Sequence, residues 1–159
     1  MNEAKLEAAV MELFQQEEYE YVQGDFILRE AGEVLLKDDL KAYLLSRYAS
    51  DEISETEVES IILALQRASH DPLYESNRDM LNRIIEGFAF RREDKSKKDL
   101  FIRLIDFEIP QNNIFKVVNQ FEIQGIEMLR IPDAIIFING LPLVVIEFKS
   151  ATRENATIY

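Results

Sequence analysis

The feature that most constrains the fold is a pair of apolar runs near the end of the chain, joined by Asn139-Gly140. Residues 134–139 read AIIFIN and residues 143–149 read LVVIEFK. An Asn-Gly pair between β-prone runs is a strong signal for a hairpin, because both turn residues tolerate positive φ. Positions 144–146 are all apolar, which is typical of a strand covered on both faces. The sequence therefore predicts a hairpin whose second strand is central in a sheet.

Charged side chains are predicted to meet at the open end of this hairpin. Depending on the length of the turn, Asp133 falls opposite position 146, 147 or 148. Side chains alternate between the two faces of a strand, so Glu147 and Lys149 share one face, and an even register adds Asp133 to it. Two carboxylates and the backbone carbonyl of Phe148 suit Mg²⁺, and a lysine beside them can act on a water. The pattern favours metal-assisted phosphodiester hydrolysis over a solvated strand end, because placing charged groups beside an apolar strand costs free energy unless they have a function.

Helical periodicity dominates the chain before residue 88, and β-prone runs follow it. Helices are predicted over 3–17 and 37–48, from a capping box at Ser54 and Glu57, and from Ser76 or Asn77 to Gly87. Further strands are predicted over 19–22, 88–92, 100–107 and 114–123. This order indicates one α/β (mixed α+β) domain over 1–159, with a helical segment at 36–87 and a strand-rich catalytic part at 88–150. Because a helix is expected after Lys149, the carboxyl-terminal part of the core is predicted to be missing.

Charge and composition exclude several classes of protein. The formal net charge is -12, which taken alone argues against a nucleic-acid partner. Residues 1–60, however, carry 16 acids and 5 bases, so nearly all of the excess lies there. The absence of cysteine excludes disulfides and thiolate sites, and a single histidine excludes multi-histidine zinc sites. The polar amino terminus and the lack of a long apolar run predict a cytoplasmic protein with no membrane partner.

The hairpin also carries a family resemblance. Residues 130–150, RIPDAIIFINGLPLVVIEFKS, closely resemble the nuclease motif of type I restriction endonuclease R subunits. This is a PD-(D/E)xK motif, in which Pro132-Asp133 and Glu147-x-Lys149 are separated by thirteen residues. Upstream of the hairpin, the segment LEAA (6–9) is similar to the opening helix of the same family. The segments LIDF (104–107), NNIF (112–115) and VNQF (118–121) are similar to its strands. The resemblance implies a restriction-endonuclease-like core with a central mixed sheet, an amino-terminal helix and a helical insertion.

The resemblance also implies roles for individual residues. Asp133 and Glu147 would ligate Mg²⁺, and Lys149 would act on the attacking water. Glu7 on the opening helix matches an acid near the metal in the family, although a solvent-facing glutamate is the alternative. The expected reaction is cleavage of double-stranded DNA in a complex with modification and specificity subunits. ATP would bind only the full-length subunit, whose motor is absent here, and this fragment alone is expected to be weakly active or inactive.

DNA contacts are expected at two further places. The basic cluster of the chain comprises Arg91, Arg92, Lys95, Lys97 and Lys98, with a solvated turn as the alternative. Asn119 and Gln120, within the strand predicted over 114–123, could contact DNA or support the site, with hydrogen bonding to turn and edge backbone groups as the alternative. Two other functions stay open, namely a repair or recombination nuclease of the same fold, and a non-catalytic docking module that binds partner subunits through the acidic helices of residues 1–60.

Overall fold

The computed structural model describes residues 3–30, 32–67, 73–125 and 128–149. The chain forms two compact units, one made of residues 1–35 and 115–159 and the other of residues 36–114. The elements in chain order are α1 (Glu3–Gln16), β1 (Glu20–Gln23), α2 (Lys37–Arg47), α3 (Glu55–Arg67), α4 (Leu73–Glu86), β2 (Phe88–Phe90), β3 (Leu100–Ile102), β4 (Phe115–Asn119), β5 (Ile123–Gln124), β6 (Leu129–Arg130), β7 (Ala134–Ile138) and β8 (Leu141–Ile146). No helix in the described part of the chain is long and apolar enough to cross a membrane.

The first unit is built on a four-stranded mixed sheet in the order β1-β4-β7-β8. β1 runs parallel to β4, while β7 is antiparallel to both of its neighbours. The carboxyl ends of β1, β4 and β8 therefore lie side by side at the same end of the strands, where β7 begins. This mixed sheet, the amino-terminal helix and the helical insertion confirm the predicted fold class.

The helix α1 closes one face of this sheet. Met11 is 5% exposed and packs with Val117 of β4 and Ala134 of β7, both fully buried. The half-buried side chains around this core come from α1, the turn after it, the strands and the segment after β8; they are Val10, Phe14, Tyr19, Tyr21, Ile146 and Phe148. Helical spacing thus predicted α1 itself, but Leu13, three residues after Val10, is 55% exposed, and Met11 is the residue that is buried.

The predicted hairpin is confirmed, but the central place of its second strand is wrong. Asn139 and Gly140 take φ values of 51° and 78°, as an Asn-Gly turn requires. Within the described residues β8 pairs with β7 alone and lies at the edge of the sheet. Val144 is 47% exposed and Val145 60% exposed. A run of apolar residues shows a preference for burial, but it does not say which element lies next to the strand.

The second unit holds α2, α3, α4 and a separate antiparallel pair, β2 and β3. The capping box of α3 is confirmed, since Ser54 N–H donates to Glu57 Oε2 at 2.9 Å and Glu57 N–H donates to Ser54 Oγ at 3.2 Å. The helix α4 ends before Gly87, whose φ is 81°, but it begins at Leu73, earlier than predicted. Residues 88–114 also lie in this second unit, where β2 and β3 pair with each other.

Candidate functional site

Three polar residues lie in a row just beyond the ends of three strands of the four-stranded sheet, at the carboxyl ends of β4 and β8 and the amino end of β7. Asn119 pairs with Ala134, and Ala134 pairs with Ile146. Continuing both registers by one residue places Gln120 opposite Asp133 and Asp133 opposite Glu147. The first of these pairings is supported by a hydrogen bond from the Gln120 N–H to the Asp133 carbonyl at 3.4 Å. We call Gln120, Asp133 and Glu147 the end row.

A register shift in the hairpin brings the two acids of the end row together. Next to the turn Phe137 pairs with Pro142, but beyond the shift Ile136 pairs with Val144, so β8 carries one extra residue. Without that shift Asp133 would lie opposite Ile146 instead of Glu147. Bulges of this kind recur beside active sites, where they redirect a side chain. The even register that places Asp133 with Glu147 and Lys149 thus depends on this bulge.

The charged groups at this end of the hairpin are mostly unused by the fold. Asp133 is half-buried, and its Oδ2 accepts a hydrogen bond from the Phe148 N–H at 2.6 Å. Glu147 and Lys149 are exposed. Among residues 3–30, 32–67, 73–125 and 128–149, the Glu147 carboxylate, the Lys149 ammonium and Oδ1 of Asp133 have no hydrogen bond or ion pair. These groups therefore remain available to a ligand as far as the described residues are concerned.

Glu7 is held by another polar group. Its Oε1 accepts a hydrogen bond from Asn119 Nδ2 at 3.0 Å, and the Tyr21 hydroxyl donates to Asn119 Oδ1 at 3.1 Å. These three residues and Met11 line an open groove of about 380 Å³ beside α1. No three His, Cys, Asp or Glu side chains in the described part of the chain group as a metal site. The register of the hairpin thus places Asp133 opposite Glu147, while Glu7 is hydrogen-bonded to Asn119, and its place near a metal stays a prediction.

Arg92, which the sequence predicts to contact DNA, is buried in an ion pair with Glu57. Its side chain is 3% exposed, and its Nε and Nη2 donate to the carboxylate of Glu57 at 2.8 and 3.0 Å. Nη1 donates to the carbonyl of Asp51, and Nη2 to that of Glu52, both at 2.8 Å. The Arg92 guanidinium also lowers the pKa of Glu57. Arg92 therefore ties the start of α3 to the loop before it and faces no solvent.

The other members of the basic cluster lie in the inserted unit as well. Lys95 donates to the Arg92 carbonyl at 2.9 Å, and Lys97 is 3.1 Å from a carboxylate oxygen of Glu52. Arg91 and Lys98 are exposed. The end row belongs to the first unit. DNA contacts by these four basic residues, and by Asn119, stay predictions.

A polar cluster around Asp106 was missed at the level of sequence. This carboxylate is 4% exposed and accepts hydrogen bonds from the Ile109 N–H at 3.0 Å, from Asn112 Nδ2 at 2.9 Å and from the guanidinium of Arg47. The N–H of Ile109 above all lowers the pKa of Asp106, to about 2, followed by Asn112 and Arg47. The run Asp106 to Asn113, rich in turn-forming residues, was the available signal. Because these donors all bind the Asp106 carboxylate, it stabilises the loop of residues 106–113 and joins that loop to Arg47 of α2.

A family model described as the N terminus of type I restriction enzyme R proteins matches residues 1–158. The chain belongs to this family. Membership in the R-protein N-terminal family confirms the resemblance that the hairpin and the upstream segments carry.

Three proteins similar to this chain are named as type I restriction enzyme endonuclease subunits, two of them as putative ones. The chain is 29% identical over 168 residues to the type I restriction enzyme HindI endonuclease subunit of Haemophilus influenzae, an alignment that covers 99% of the chain and 16% of that protein. It is 45% identical over 69 residues to the putative MjaIXP endonuclease subunit of Methanocaldococcus jannaschii, covering 42% of the chain and 6% of that subunit. The putative MjaVIIIP endonuclease subunit of the same organism is 31% identical over 111 residues, which cover 68% of the chain and 10% of the relative. The chain thus spans a sixth or less of the length of these relatives.

Proposed function

We propose that this chain is the nuclease part of a type I restriction R subunit and cleaves double-stranded DNA with Mg²⁺. The observation that carries the proposal is the juxtaposition of Asp133 and Glu147 beside Lys149, with charges that the described part of the fold leaves unpaired. Their location gives further support, because ligands of open α/β sheets bind outside the carboxyl ends of the strands. Membership in the R-protein N-terminal family agrees with this reading.

The donor set fits a hard divalent cation. Oδ1 of Asp133, the carboxylate of Glu147 and the carbonyl of Phe148 are oxygen donors, and Mg²⁺ commonly binds through one or two carboxylates plus substrate phosphate and water. When bound, the ion supplies positive charge to the phosphate and acidifies a water. The small number of acids predicts that the site is completed by DNA.

The side chains of this chain have separable tasks in hydrolysis. The N–H of Phe148 fixes the Asp133 carboxylate, so that Oδ1 keeps a constant direction. The ammonium group of Lys149 orients the attacking water and stabilises the negative charge that builds on the phosphate. A bond would then form from the water oxygen to phosphorus while the phosphorus–oxygen bond to the leaving strand breaks. The attacking water would release one proton to solvent, and the leaving oxygen would take one up from solvent.

The wider subunit would supply what this region lacks. With a formal net charge of -12, the chain is expected to bind DNA weakly by itself, because a phosphate backbone attracts basic surfaces. We assign ATP-driven translocation to the remainder of the full-length subunit, and site recognition to modification and specificity subunits in the cytoplasm. On this view the end row cuts DNA without reading its sequence.

Plasmid cleavage by the full-length subunit in its assembled complex tests the proposal. Lys149→Ala and Glu147→Gln should each lower the cleavage rate by about 100-fold or more, as expected when a catalytic group is removed. ATP hydrolysis by the same complexes should persist and reports folding and assembly. Lys5→Ala, at an exposed lysine on α1, serves as the matched control and should cleave normally. Undiminished cleavage by the Lys149 and Glu147 variants would overturn the proposal in favour of a docking module.

A further inference from the structure

We infer that Gln120 binds DNA beside the nuclease site, with its side-chain amide donating a hydrogen bond to a phosphate oxygen of the strand being cut. The inference rests on the proposed function and adds a neutral substrate contact to it. Gln120 is the member of the end row next to Asp133, joined to it by the backbone hydrogen bond at 3.4 Å.

The backbone of Gln120 adopts a conformation that its residue type disfavours. Its φ is 52°, in the left-handed region that glycine and asparagine enter more readily. Strained residues of this kind persist when the surrounding structure holds them, and they concentrate at functional sites. Gly24 of the neighbouring segment makes room for this bend, since a Cβ added there would lie 2.4 Å from the Gln120 carbonyl oxygen. The backbones at Gly24 and Gln120 are thus closely packed against each other at the carboxyl ends of β1 and β4.

Both neighbours of Gln120 are fixed by contacts of their own. On one side, the Asn119 side chain is held between Glu7 and Tyr21. On the other side, Phe121 is fully buried, with its ring centroid 5.3 Å from that of Phe137. The position of Gln120 at the end of β4 is therefore set by the fold and not by contacts of its own side chain.

The Arg29 guanidinium further secures the segment that follows Gln120. It lies 3.6 Å from the centroid of the Phe121 ring and donates to the carbonyl of Glu122. A cation held over an aromatic face stabilises both groups. This clamp restrains the chain immediately after the left-handed turn.

The side chain of Gln120, in contrast, is unused by the part of the protein that the structure describes. It is half-buried and makes no hydrogen bond with any described residue. A fixed backbone that carries an unused amide next to Asp133 in the end row is an arrangement suited to a ligand. A phosphate oxygen is the matching acceptor, because the neighbouring Asp133, Glu147 and Lys149 are proposed to act on a phosphodiester.

The test compares Gln120→Gly with the wild type in the assembled full-length complex. Glycine removes the amide and also relieves the left-handed conformation, so the melting temperature should stay the same or rise. The value of kcat/KM for plasmid cleavage should nevertheless fall roughly 10- to 100-fold, mainly through KM, as expected for a lost hydrogen bond to a charged group. The salt dependence of DNA binding should not change, because the amide carries no charge.

The outcomes separate this inference from the proposed function. Wild-type cleavage by Gln120→Gly, while Lys149→Ala is inactive, overturns the role of Gln120 and leaves the nuclease assignment intact. A lower melting temperature for Gln120→Gly would indicate a structural role and would also overturn it. If Lys149→Ala cleaves normally, the proposed function fails and this inference fails with it.

Discussion

The backbone N–H of Phe148 donates a hydrogen bond to Oδ2 of Asp133 across 2.6 Å. This bond links the segment that precedes β7 to the segment that follows β8, just beyond their last paired residues, Ala134 and Ile146. It uses one oxygen of the Asp133 carboxylate and leaves the other without a partner among the described residues. One side chain thus closes the open end of the hairpin and still presents an oxygen to a ligand.

Two substitutions at Asp133 should separate these roles. Asparagine keeps an oxygen that can accept the Phe148 N–H but loses the charge, so Asp133→Asn should fold as stably as the wild type. Its cleavage should fall about 100-fold or more if the carboxylate holds Mg²⁺. Alanine also removes the hydrogen bond and should cost about 1 kcal/mol in the free energy of unfolding. Chemical denaturation and plasmid cleavage measure the two effects, and an active Asp133→Asn complex would show that the carboxylate is needed only to close the hairpin.

The close approach of Gly24 to the end of β4 predicts a stability effect. In Gly24→Ala the new Cβ would lie 2.4 Å from the Gln120 carbonyl oxygen, so backbone must move, at a cost of about 1–3 kcal/mol in the free energy of unfolding. Gly32→Ala is the matched control, because a Cβ there meets nothing within 4 Å. Its stability should change by less than about 0.5 kcal/mol. Equal unfolding midpoints for the two variants would contradict this account.

The elements that could be predicted from sequence are those set by local rules. The capping box at Ser54 and Glu57 and the hairpin turn at Asn139-Gly140 are formed by residues close together in the chain, and both are observed. The bulge in β8 was not predictable in this way. It depends on how β8 packs against β7, and the sequence left three possible partners for Asp133. The site could therefore be proposed from the motif, but its register needed the structure.

The basic cluster shows a different limit. A charge pattern gives the number of lysines and arginines in a segment but not the acceptors that the fold brings to each of them. Arg92 and Glu57 are 35 positions apart, and the buried pair that they form depends on the packing of α3 against the loop after β2. Asp106 and Arg47 are 59 positions apart. Such long-range ion pairs follow from tertiary structure, so sequence could not distinguish Arg92 from Arg91.

Substitution of Arg92 should consequently lower the melting temperature, whereas substitution of Arg91 should not. Arg92→Ala leaves the Glu57 carboxylate and the carbonyls of Asp51 and Glu52 without their donor, so the melting temperature of the chain should fall. Arg91→Ala removes an exposed side chain and should leave the melting temperature unchanged. Thermal unfolding followed by circular dichroism measures both. A stable Arg92→Ala variant would mean that water replaces the guanidinium without loss.

The depressed pKa of Asp106 predicts how stability depends on pH. In the folded chain this pKa is lowered to about 2, whereas an unfolded aspartate has a pKa of about 3.9. The folded state therefore prefers the ionised carboxylate, whose contribution is complete above about pH 4 and is lost as the pH falls toward 2. Asp106→Asn should be less stable than the wild type at pH 7, because its amide N–H groups face the donors of Arg47 and Asn112. The difference in the free energy of unfolding between the wild type and Asp106→Asn should narrow between pH 4 and 2, as measured by urea unfolding at each pH. A gap between Asp106→Asn and the wild type that stays constant down to pH 2 would exclude ionisation of Asp106 as the source of the effect.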